Sequence, residues 1–174
     1  MVSVSTGKGS SQEYGTPDYI FNYFHDQYQY DVDGAASIKN HKLPVYYSIN
    51  KSFLDAHPKY LIGKRIWINP PYNNVLPFVE KALGLMAEGA ELISFFVNND
   101  PTTKWYKLMW NDSGCLKYFD EIGHRVKFIG AKQAQSYPSI CITLMQKHGS
   151  FLDRYVQLVD PPRPKKTKLL TTSN

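Results

Sequence analysis

Apolar residues recur along the chain with two different periods. Tyr19, Ile20, Tyr23 and Phe24 fall at helical spacing behind Thr16-Pro17-Asp18, which reads as an N-cap with proline at the first helical position. Leu76, Val79, Ala82, Leu83 and Met86 form a second helical stripe, and Gly89 is a natural stop for it. Thr102 to Trp110 predicts a third helix, with Trp105 and Trp110 read as core. Between these lie strand-like runs. Val32 sits in a short one, and Arg65-Ile66-Trp67-Ile68 is β-branched and aromatic. Leu92 to Val97 is continuously apolar, as a central strand buried on both faces would be. His124 to Phe128 alternates like a half-exposed strand, and Ser139 to Met145 is a further β-rich run.

Strands alternating with helices over short connections predict an α/β sheet with helices on both faces, mostly parallel. The last β-rich runs have no helical pattern between them, which predicts an antiparallel edge. In such sheets ligands bind outside the carboxyl ends of the strands. That rule puts Asp33, Asn69 and Val97–Asp100 on one rim. The expected organisation is a disordered Ser/Gly-rich segment over 1–13, one domain over 14–158, and a basic, Pro-rich tail over 159–174.

Composition narrows the class further. With 43% hydrophobic and 20% charged residues, the chain can build a core and is not intrinsically disordered. Cys115 and Cys141 lie far apart, and the five histidines form no HExxH, so neither a disulfide framework nor a metal site is expected. No apolar run is long enough to span a membrane, and the first residues lack the apolar stretch of a signal peptide. The expected compartment is a reducing cytoplasm. The net charge of +5 permits a polyanionic partner without requiring one.

Asn69-Pro70-Pro71-Tyr72, directly after a strand, is where the chemistry concentrates. The asparagine side chain offers a carbonyl acceptor. Pro70 offers a backbone carbonyl and no N–H. Two fixed acceptors suit the two hydrogens of a planar –NH₂ group, and the prolines hold them in place beforehand. Tyr72 supplies an aromatic face for stacking. Such a site suits methyl transfer to a planar nitrogen, with no metal. A plain turn with Tyr72 packed on the core is the competing reading.

The surrounding motifs resemble the phage-type DNA N-6-adenine methyltransferase (Dam) family. Thr16-Pro17-Asp18-Tyr19-Ile20-Phe21 is similar to its opening Thr-Pro-x-aromatic-x-Phe, and Val32-Asp33-Gly34-Ala35-Ala36-Ser37 to its Leu-Asp-Ala-Ala-Ala-Ser turn. Arg65–Tyr72 resembles Arg-Val-Trp-x-Asn-Pro-Pro-Tyr, and Pro77–Ala82 follows the family's Pro-Trp-Val-Glu-Lys-Ala. Thr103-Lys104-Trp105-Tyr106, Arg125–Phe128 and Pro138-Ser139 resemble further elements in family order.

The resemblance implies a Rossmann-like fold, S-adenosylmethionine as cofactor, and DNA as partner, in a bacterial host cytoplasm. Methyl transfer would go to the exocyclic amine of an adenine flipped from the duplex. Asn69, Pro70 and Pro71 with Tyr72 would form the catalytic turn. Thr16, Pro17, Asp33, Ala35, Ser37 and Asn69 would line the cofactor pocket, with Asp33 near the methionine amine and Asp100 facing the adenine ring or capping the following helix. The chain departs from the family in three respects: the turn after Val32 has no GxGxxG, Val97-Asn98-Asn99-Asp100 stands where relatives often have Leu-Pro-Ala, and Ser48-Ile49-Asn50-Lys51 stands where relatives carry acidic residues, leaving Asp55 as a weak candidate for the ribose carboxylate. Lys104, Lys107, Arg125, Lys127, Lys132 and Gln133 are candidates for DNA contact, the last in a loop over 130–137. The same tetrad also suits glutamine side chains of proteins or RNA bases. A non-catalytic DNA-binding protein on a degenerate methyltransferase fold is the remaining alternative.

Overall fold

A computed structural model describes residues 14–147 and 154–165; segment 1–13 and the tail beyond 165 lie outside the described residues. The elements are α1 (Asp18–Tyr28), β1 (Val32–Asp33), β2 (Arg65–Ile68), α2 (Val75–Glu88), β3 (Leu92–Asn98), α3 (Lys104–Asn111), β4 (Leu116–Ile122), β5 (Ser139–Met145) and β6 (Arg154–Val159). The six strands form one sheet in the order β1-β2-β3-β5-β4-β6. Strands β1, β2 and β3 pair in parallel, β5 pairs antiparallel to both β3 and β4, and β6 runs parallel to β4. Only β5 is therefore reversed. The expected antiparallel edge is corrected: the reversed strand lies inside the sheet, because β5 returns between β3 and β4.

Alternation along each strand divides the core in two. Ile66, Ile68, Ile93, Phe95, Val97, Ile140, Ile142 and Leu144 pack on one face with Val79 and Ala82 of α2 and Met109 of α3. Trp67, Leu92, Phe96 and Cys141 pack on the other with Ile20, Phe21 and Phe24 of α1. The apolar run of β3, interrupted only by the buried and hydrogen-bonded Ser94, follows from this, since both its faces are covered.

Three further expectations are corrected. His124–Phe128 is not a ladder strand. Val126 and Phe128 are buried while Arg125 and Lys127 are exposed, but the segment only touches a partner beyond its end, where Ile129 bridges Gly15. The strand before it is β4, which was not expected because it buries Lys117 and Asp120. The Lys117 ammonium is satisfied by the carbonyls of Asp112 and Cys115, which makes a lysine tolerable inside a sheet. Finally, α1 starts one residue late. Pro17 occupies the cap position without a side-chain bond, because the Thr16 hydroxyl is engaged elsewhere.

Candidate active site

The carboxyl ends of β1 and β2 open into a pocket of about 640 Å³, within the size range of small-molecule sites. The floor is set by a close approach. A Cβ on Gly34 would lie 2.9 Å from Ile68 Cγ1, so the chain after β1 lies directly against β2. The segment 45–47 then folds back along the outer edge of β1. Asp33 N–H donates to the Val45 carbonyl at 2.9 Å, and Tyr47 N–H donates to the Asp33 carbonyl at 2.8 Å. This return brings Tyr47, Ser48, Ser52 and Phe53 into the wall.

Asp33 is 3% exposed. Its Oδ1 accepts from the Ala35 N–H and its Oδ2 from the Lys42 N–H. Burial raises its carboxyl above the ordinary range, against the opposing pull of those two backbone donors. The side chain therefore clamps both ends of the loop while still lining the pocket.

Asn69 leaves the end of β2 with its carboxamide turned by Thr16. Nδ2 donates to Thr16 Oγ1 at 2.9 Å. That bond uses the amide's donor side and leaves Oδ1 as the acceptor, and Asn69 and Pro70 both line the pocket. Thr16 is itself buried. The Tyr72 ring meets Phe128 edge-on at 5.9 Å, and among the described residues its buried hydroxyl has no hydrogen-bond partner. Burial holds that hydroxyl far above the ordinary tyrosine range, so it stays neutral.

The structure thus brings Thr16, Asp33, Ala35, Ser37, Asn69, Pro70, Pro71 and Tyr72 to one cavity. Pro17 is buried just outside the lining, and Asp100 is also outside it. The Asp100 carboxylate accepts from Thr102 N–H and Oγ1, which lowers its pKa, while Thr103 caps α3. Among the described residues Asp33 is the only carboxylate lining the pocket; Asp55 is exposed on a short 3-10 turn. Lys104, Lys107, Arg125, Lys127, Lys132 and Gln133 are all exposed and outside the lining. Phe128 and Gln135, which do line it, come from the segment after β4: Phe128 ends the family-like Arg125–Phe128 element, and Gln135 lies in the loop over 130–137, where Gln133 rather than Gln135 was the residue expected to contact DNA.

Comparison with known proteins gives the family of the chain. Residues 4–147 match the family described as DNA N-6-adenine-methyltransferase (Dam). The chain is 25% identical over 167 residues to the DNA N-6-adenine-methyltransferase of Haemophilus phage HP1 (strain HP1c1), covering 91% of this chain and 94% of that protein. It is 31% identical over 94 residues to the enzyme of the same description from Escherichia phage T1, covering 53% of this chain and 38% of that protein. The match runs through the Thr16, Asp33 and Asn69 segments that meet in the pocket, and the chain belongs to the DNA N-6-adenine-methyltransferase (Dam) family.

Proposed function

We propose that this pocket carries out the family's reaction, moving a methyl group from S-adenosylmethionine to the exocyclic amine of an adenine turned out of duplex DNA. The observation that carries the reading is the Thr16–Asn69 hydrogen bond. It orients the carboxamide so that Asn69 Oδ1 and the Pro70 carbonyl face the amine as acceptors. Holding both amine hydrogens favours lone-pair density on nitrogen, and the rigid turn makes that arrangement without reorganisation. Tyr72 and Phe128 offer aromatic faces to the base.

The cavity suits the cofactor in size, in the close backbone approach at Gly34 and in its buried polar groups. Asp33, Ala35 and Ser37 would hold it on the β1 side, where a Rossmann-like sheet receives its ligand. When bound, the cofactor supplies an electrophilic methyl on a sulfonium sulfur. The protein's part is to place the amine in line with the methyl–sulfur bond and to keep water out. Asn69 Oδ1 and the Pro70 carbonyl would hold the amine hydrogens while the nitrogen takes up the methyl group, and the proton displaced from the amine would pass to solvent as the product leaves. Family membership favours adenine in DNA over glutamine or RNA substrates. It also favours an active enzyme over a binding module. The exposed Lys104, Lys107, Arg125, Lys127, Lys132 and Gln133 would contact the duplex outside the pocket.

The test is transfer of tritiated methyl groups from S-adenosylmethionine to DNA. Incorporation at adenine N6 is expected, with loss of at least about a hundredfold in Asn69→Ala. Cofactor binding without incorporation into any DNA would overturn the proposal.

A further inference from the structure

The Tyr72 end of the pocket holds two buried polar atoms with no hydrogen-bond partner among the described residues, the Tyr72 hydroxyl and Gln135 Oε1. Both residues line the cavity. Gln135 is fixed there by its backbone, whose N–H donates to the Val126 carbonyl at 2.9 Å. Val126 lies two residues before Phe128, whose ring faces Tyr72. The loop after Phe128 is thus pinned where Tyr72 stands. A buried carboxamide oxygen without a donor is unfavourable, so a pair of such atoms in one cavity marks a place built for a polar ligand.

A carboxamide presents an acceptor and a donor side by side. Among DNA bases this matches the N6 amine and N7 of adenine. We propose that Gln135 is a specificity residue that reads the target adenine, with Nε2 donating to N7 and Oε1 sharing the amine hydrogen on that side with the Asn69–Pro70 turn. This rests on the reading of the pocket as an adenine site. It differs from the surface role expected for Gln133, whose side chain is exposed and outside the cavity. Thymine cannot satisfy both ends, because it carries an oxygen in place of the amine. A pyrimidine has no N7.

The decisive comparison uses two duplexes made by polymerase chain reaction, one with ordinary adenine and one with 7-deazaadenine at every adenine position. This avoids any need to know the recognition sequence. Tritiated methyl transfer by the full-length chain should favour the adenine duplex by about tenfold or more in kcat/KM, the cost of one lost base contact. Gln135→Leu should be slower on the adenine duplex and should lose that preference. Gln135→Glu, which accepts but cannot donate, should lose it as well. Calorimetry with S-adenosylmethionine should give both variants the same affinity as the parent, which shows that they are folded. Retention of the full preference in both variants overturns the assignment, as does a parent protein that does not distinguish the two duplexes. Absence of transfer to the adenine duplex overturns the adenine reading of the pocket together with this one.

Discussion

Thr16 shows how one hydroxyl can be drawn from a local role to a distant one. Its position before Pro17 suggests a helix cap, yet the hydroxyl accepts from Asn69, 53 residues away. Thr16→Val should therefore leave α1 nearly intact and free the Asn69 carboxamide to rotate. We expect kcat to fall by about tenfold, the worth of one ordinary hydrogen bond, with the helix signal in circular dichroism unchanged. Tyr72 gives the opposite expectation for stability. Its hydroxyl has no partner among the described residues, so Tyr72→Phe removes a buried polar group at no loss of shape. The melting temperature should stay level or rise, whereas Tyr72→Ala should lower both stability and transfer. A clear fall in melting temperature for Tyr72→Phe would show that the hydroxyl is satisfied after all.

At the scale of elements, the loop after β1 depends on contact with β2. Gly34→Ala would push a methyl group into Ile68 and Ile66. It should cost about 1–3 kcal/mol by denaturant unfolding, the usual range for overpacking. Strand β4 carries a second liability in Asp120, which is 1% exposed and accepts from Gln157 of β6. Burial raises its carboxyl above the ordinary range, and the Gln157 bond only partly offsets this. A raised folded pKa means that the folded state binds the proton more tightly. Its contribution is full below the unfolded carboxyl value and is lost as pH rises through the folded one. Asp120→Asn should thus raise the melting temperature by a few degrees at neutral pH and change it little at pH 3. Elements such as β2, β3, β5 and α2 were legible in the sequence because burial there is mostly apolar and holds no charge. Strands β4 and β6 were not. A buried lysine and aspartate obscure the first. The second exposes Tyr155, Val156, Gln157 and Leu158 on both faces and so has no alternation.

For the molecule as a whole, charge is a matter of where it lies. Four of the basic residues sit in Pro161–Asn174, of which Arg163 and Lys165 are described and exposed. The exposed pair Arg125 and Lys127 lies on the segment whose inward residues, Val126 and Phe128, pack against the core. If both cations meet phosphates, replacing them with alanine should lower the slope of log affinity against log salt by about 2 and leave cofactor affinity unchanged. An unaltered slope would move DNA contact to another face. The sequence by itself determined the alternating α/β plan, the acceptor turn at Asn69–Tyr72 and the likeness to one family, because each is written in residues adjacent along the chain. Tertiary structure alone decided that β5 lies inside the sheet, that Thr16 orients Asn69, and that Gln135 reaches the pocket. Those outcomes depend on which distant segments bury one another, and strand pairing and side-chain burial set them only once the sheet has closed.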